Sequence, residues 1–128
     1  AKSFKRAVEI LPSYSEAHNK LGITFIDLKK YKDAIEHLEW AVAYKYDFAE
    51  AHNNLGVANR EFGQINNAAK NFKKATEINP SYTLAHLNLG VTLLDLGQKD
   101  EAVKCFEQVI SIEPDNSLAH EKLKELNT

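Results

Sequence analysis

Four of the five histidines stand at 18, 52, 86 and 120, each 34 residues from the next, inside the near-copies EAHNKLG, EAHNNLG, LAHLNLG and LAHEKLK. Imidazole is suited both to holding a transition metal and to moving protons near neutral pH, so a histidine fixed at one phase of a repeat raises both possibilities. A period of this length belongs to a repeat built as helix, turn, helix. In such a stack two ligands of one ion would each have to stand about 2 Å from it, whereas residues one repeat apart lie on neighbouring helix pairs with axes about 8–10 Å apart. Shared coordination is therefore not expected. Catalysis fares no better: no nucleophile recurs beside a base, there is no glycine-rich phosphate loop, and the carboxylates are scattered as on ordinary solvated helices. The expectation is a chain that is not an enzyme and needs no metal or other cofactor. His18, His52, His86 and His120 are then expected to pack where two helices meet, with one ring nitrogen near water.

The elements that position these residues follow from the same period. Each repeat carries an apolar pattern of about 3.6 residues, a break, and a second such pattern. This predicts first helices (A) at 15–28, 49–62, 83–96 and 117–126, and second helices (B) at 2–11, 31–45, 65–78 and 99–112. Pro12, Pro80 and Pro114 cannot continue a helix, and Gly63 and Gly97 suit the left-handed residue that ends one. Tyr46 takes the proline's place in one repeat. Gly22, Gly56 and Gly90 fall mid-helix, where glycine costs about 0.5–1 kcal/mol relative to alanine. Close approach of the partner helix supplies a reason. Ala34, Ala68 and Ala102 are expected to be the opposing small residues, with Leu21, Leu55 and Leu89 on helix A and Leu38, Phe72 and Phe106 on helix B filling the space beside them. Lys124 replaces the glycine in the fourth copy, which reads as a polar cap.

Composition fits a soluble protein: 44% hydrophobic, 27% charged, formal net charge −2. That provides apolar residues for a core and no cationic excess for nucleic acid. No apolar run of 18 residues or signal-like leader is present, so membrane insertion is not expected and the cytoplasm is the expected location. Cys105 is the single cysteine; aligned with Ser3, His37 and Asn71, it reads as an ordinary, partly exposed thiol. The chain begins at Ala1 partway through a repeat, and so reads as a piece of something longer.

These residues resemble the tetratricopeptide repeat (TPR) family, whose pattern is an aromatic, Leu-Gly, a tyrosine-like residue, Ala, an aromatic, Ala and Pro. Residues 49–82 match as His52, Leu55-Gly56, Asn59, Ala68, Phe72, Ala75 and Pro80, and residues 83–116 as His86, Leu89-Gly90, Leu93, Ala102, Phe106, Val109 and Pro114. The NLG form is similar to the superhelical repeats of O-linked N-acetylglucosamine transferase and of prokaryotic relatives. The resemblance implies an all-α, right-handed solenoid of antiparallel helix pairs forming one domain over 1–128. Within it, 1–14 would be helix B of a preceding repeat, 15–48, 49–82 and 83–116 complete repeats, and 117–128 a capping helix.

Family members curl so that their A helices line a concave groove in which an extended peptide lies. Carried over by position, the groove residues are Glu16, Asn19, Lys20, Ile23 and Asp27, then Glu50, Asn53, Asn54, Val57 and Glu61, then Leu84, Leu87, Asn88, Val91 and Asp95. One end is amide-rich and acidic, the other more apolar. A row of amides offers a peptide backbone both donor and acceptor, and the acid surplus favours a neutral or basic partner segment bearing apolar residues. Members that grip the C-terminal carboxylate of heat-shock chaperones use a lysine and an asparagine four residues apart on the first helix A, with further basic residues on the third. Here Asn19 and Ile23, and Leu84 and Asn88, stand there, so that clamp is not expected. Trp40 and Tyr44 are expected to project from the convex side as a second contact patch. The expected function is noncatalytic protein binding as an adaptor or scaffold. The alternatives are a substrate-selecting arm of a larger enzyme and a self-assembling module. Weak self-association is expected through the helix at 2–11: its Phe4, Ala7, Val8 and Leu11 would cover the first helix A, while no preceding helix A would protect its other side.

Overall fold

The computed structural model describes residues 14–127. The helix expected at 2–11, and the self-association assigned to it, lie outside those residues. Among the described residues there are seven α-helices and no strand. They are α1 (Tyr14–Asp27), α2 (Tyr31–Tyr44), α3 (Ala49–Glu61), α4 (Ile65–Ile78), α5 (Thr83–Asp95), α6 (Lys99–Ile112) and α7 (Ser117–Leu126). Helices α1 and α2, α3 and α4, and α5 and α6 pack as pairs, and each later A helix also packs on the B helix before it. Helix α1 touches α3, and α3 touches α5, so the A helices share one face of the solenoid, while α7 packs on α6.

Periodic small and large residues build the core. Ala34, Leu38 and Ala41, Ala68, Phe72 and Ala75, and Ala102, Phe106 and Val109 are the buried residues of the three B helices. The mid-helix glycines face the large members of this set, not the alanines expected opposite them. A Cβ on Gly56 would stand 2.6 Å from Cε1 of Phe72, and one on Gly90 2.8 Å from Cζ of Phe106, while Gly22 sits against Leu38. Each glycine makes room for a ring or a leucine, and the alanines fill the remaining contact. Leu21 departs from its expected role: it is 44% exposed, whereas Leu55 is buried.

The turns inside the repeats require a left-handed residue. Gly63 (φ 90) and Gly97 (φ 76) supply it, and Lys29 (φ 60) does so in the first repeat at the strain a side chain brings. In that turn the Lys30 N–H reaches the Phe25 carbonyl at 2.8 Å, closing the helix end as glycine does elsewhere.

The turns between repeats depend on the histidines. Helices α3 and α5 have no side-chain N-cap. Instead Nε2 of His52 meets the Tyr46 carbonyl at 2.9 Å, that of His86 the Pro80 carbonyl at 2.8 Å, and that of His120 the Pro114 carbonyl at 2.7 Å. A carbonyl only accepts, so each ring carries its proton on Nε2 and donates it. The histidines thus tie the incoming loop to helix A, a more specific role than ring packing. In α7 the Asn116 side chain also accepts from the Ala119 N–H at 2.9 Å.

Candidate interaction groove

The shared face of α1, α3 and α5 carries a ladder of amides between repeats. Asn54 donates through Nδ2 to Oδ1 of Asn19 at 3.0 Å, and Asn88 does the same to Asn53 at 3.1 Å. Asn19 and Asn53 are buried, at 5% and 1% exposure. Expected as groove-lining groups, both form the inner rungs, because a buried amide is held where its hydrogen bonds are met, and Asn19 also lines a cleft at the surface. Asn54 and Asn88 are half-buried. Each uses one N–H on the preceding repeat, and its other N–H and its carbonyl oxygen have no partner among the described residues.

Glu16, Asn19, Lys20, Ile23 and Glu50 come together in a cleft of about 280 Å³, with Phe48 as its sixth wall. Phe48 was not among the expected groove residues. Nor was Tyr82, whose hydroxyl is held above the ordinary tyrosine range, by burial first and then by the charge of Glu50. A signal for both exists in the chain: Tyr14, Phe48 and Tyr82 are aromatic, 34 residues apart, each at the start of a helix A or just ahead of it.

The other groove positions separate by environment. Asp27 and Glu61 are exposed, and Val57 and Val91 are half-buried. Asp95 is already engaged: Nε and Nη2 of Arg60 reach its Oδ2 at 3.0 and 2.8 Å. The acid surplus is therefore concentrated nearer the N-terminal end than the residue types suggested. At the apolar end Leu84 is 52% exposed, while Leu87 and Val91 also pack against the core around Phe106.

Trp40 and Tyr44 do not project singly. Trp40, 41% exposed, stacks on Tyr44 and His18 with ring centroids 5.6 and 6.2 Å away, and Tyr14 meets Tyr44 edge-on at 4.7 Å. Nδ1 of His18 lies 3.1 Å from Nδ1 of His37, which also stacks on Phe25. Burial, then the proximity of His37, pushes the His18 pKa down. Burial, then Glu101, pushes the Cys105 thiol up to about 11, which disfavours the reactive thiolate. No cluster of three or more metal-ligating side chains occurs among the described residues, and no described helix is long and apolar enough to cross a membrane.

Two tetratricopeptide repeat family models match the chain, one over residues 19–83 and the other over 60–126. The crystal structure of MamA is similar at 30% identity and a TM-score of 0.85, over 98% of this chain and 73% of that one. The second TPR domain of human RPAP3, in complex with the HSP70 peptide SGPTIEEVD, is similar at 26% identity and a TM-score of 0.84, over 90% of this chain and 96% of that one. The first TPR of Spaghetti (RPAP3), bound to the HSP90 peptide SRMEEVD, shares the fold at 23% identity and a TM-score of 0.84, over 90% and 94% of the two chains. No curated protein matches the chain. The matches bear out the family and give no support to the narrower likeness to the repeats of O-linked N-acetylglucosamine transferase.

Proposed function

The chain belongs to the tetratricopeptide repeat family, and on that premise we propose that it is a noncatalytic adaptor or scaffold holding an extended segment of a partner protein in its concave groove. The observation that carries this reading is the pair Asn54 and Asn88. Each is fixed by one N–H to the preceding repeat and keeps a second N–H and a carbonyl oxygen for a ligand. Amides already held in place lose little freedom on binding, and they match a peptide backbone whatever its side chains.

Selectivity comes from the ends. The cleft containing Glu16 and Glu50 favours a neutral or basic segment, while Leu84, Leu87 and Val91 seat an apolar side chain. SGPTIEEVD, the peptide held by the human RPAP3 domain, carries the opposite charge. With Asn19, Ile23, Leu84 and Asn88 at the clamp positions, this groove has no cationic pocket for it.

The test is calorimetry against a panel of extended peptides of varied charge. The strongest binder is basic and apolar. The double change Asn54→Ala and Asn88→Ala weakens it by about 5- to 150-fold if two neutral hydrogen bonds are lost additively. Because both asparagines also join repeats, circular dichroism and the thermal midpoint of the double variant must show that the stack persists. A partner unaffected by this pair but lost on Trp40→Ala would place binding elsewhere.

A further inference from the structure

The opposite face of the solenoid carries a second groove, between the B helices α4 and α6 over α5, with a volume of about 580 Å³. Its floor is apolar, made of Leu89, Leu93 and Leu96 of α5 and the turn after it, and Cys105 stands on one wall. Its rim is cationic: Lys70 and Lys73 rise from α4 and Lys104 from α6, against a single carboxylate, Glu101. All three lysines are exposed.

The same backbone one repeat earlier provides an internal control. There Glu36 and Glu39 stand where Lys70 and Lys73 stand here, so the wall reverses its charge. Asn59 and Asn71 take the places of Leu93 and Cys105, and they close on each other at 2.7 Å. Geometry common to all repeats therefore does not account for the second groove. A leucine floor and a positive rim occur together at one junction of a chain whose net charge is −2.

We propose that the groove between α4 and α6 docks an acidic amphipathic helix of a partner protein, with apolar side chains on Leu89, Leu93 and Leu96 and flanking carboxylates on Lys70, Lys73 and Lys104. Flexible lysine stems keep their charges at the edge of an apolar floor, where a helix with a leucine stripe bordered by Glu or Asp meets both. The convex position leaves the concave groove open, so one chain holds two segments of opposite charge, as a scaffold requires.

The probe is a fluorescein-labelled synthetic helix with Leu at i, i+3, i+4 and i+7 and Glu beside them. Its companions are one copy with Lys for Glu and one with Ser for Leu. The acidic helix binds the parent, more weakly as salt rises, and both companions bind poorly. The double variant Lys70→Glu and Lys73→Glu, which copies the first junction on an exposed face, weakens it about tenfold or more. Asn54→Ala with Asn88→Ala leaves its affinity unchanged, which separates this site from the concave one. Amide shifts on binding map to Leu89, Leu93, Leu96 and Cys105. No binding at millimolar peptide, equal binding of the basic companion, or indifference to the charge reversal overturns the proposal. So does laurate occupying these leucines while the helix does not, since the groove would then be a fatty-acid site.

Discussion

The first repeat and the second share a backbone path but hold it by different means. In the second, Gly63 takes the left-handed turn, Phe72 fills the space under Gly56, and His52 ties the loop at Tyr46 to helix α3. In the first, Lys29 takes the same turn, Leu38 lies under Gly22, and His18 turns to His37 and a stack of rings. What persists is the mid-helix glycine with a large residue beneath it and the two buried alanines beside that residue. The fold is therefore set by volume at the A/B contact, while polar and aromatic positions are free to specialise from repeat to repeat.

The largest expected effect tests the shared part. Gly56→Leu brings at least a Cβ against the Phe72 ring and overpacks the contact by about 1–3 kcal/mol. Urea unfolding followed by circular dichroism reads this as a lower midpoint. An unchanged midpoint means that α3 and α4 can separate without cost.

The histidines test the part that differs. His52→Ala removes a hydrogen bond that holds a loop and costs about 0.5–1.5 kcal/mol. His18→Ala costs less, because His18 is half-buried where His52 is 8% exposed. Equal losses in the two variants would mean that ring packing, and not the loop bond, is what the position supplies.

Lys29 offers a gain. A left-handed lysine costs about 1–2 kcal/mol, and glycine gives back about 0.4–1 kcal/mol through the freer unfolded chain. Lys29→Gly should therefore raise stability by about 0.5–1 kcal/mol. Gly63→Lys should lower it by a similar amount, and a thermal midpoint that moves the other way in either variant breaks the comparison.

The smallest effect is a dependence on pH. Burial lowers the His52 pKa from 6.5, a nearby Lys74 lowers it further, and the bond to Tyr46 opposes them without reversing the shift. The unfolded chain then takes up a proton at higher pH than the folded one, so stability is complete above about pH 6.5 and declines as pH falls below it. His18 shifts in the same direction. Thermal midpoints at about pH 7.5 and 5.5 should differ in the parent and differ less in His52→Gln. The same drop in both would remove His52 as the cause.

Helix spans and most of the core were legible in the chain because both depend on local pattern and on contact within a repeat. Signals of that kind add up when written several times 34 residues apart. Gly63 and Gly97 fixed the turns for the same local reason. The site was less legible. Asn19 and Asn53 looked equivalent to Asn54 and Asn88 as ligand groups, and Asp95 looked as available as Asp27.

The sequence by itself determined the repeat, the alternation of A and B helices, the mid-helix glycines of a close A/B contact, and a helix A face rich in amides and acids. Only the tertiary structure decided which of those groups meet. Asn54 with Asn19, Asn88 with Asn53, and Arg60 with Asp95 each pair across 35 residues, not 34. That one-residue offset comes from how each A helix is displaced and turned on the one before it. A period in the chain records where a residue sits in its own repeat and carries no information about that displacement, so it could not tell a rung of the ladder from a group left open to a ligand.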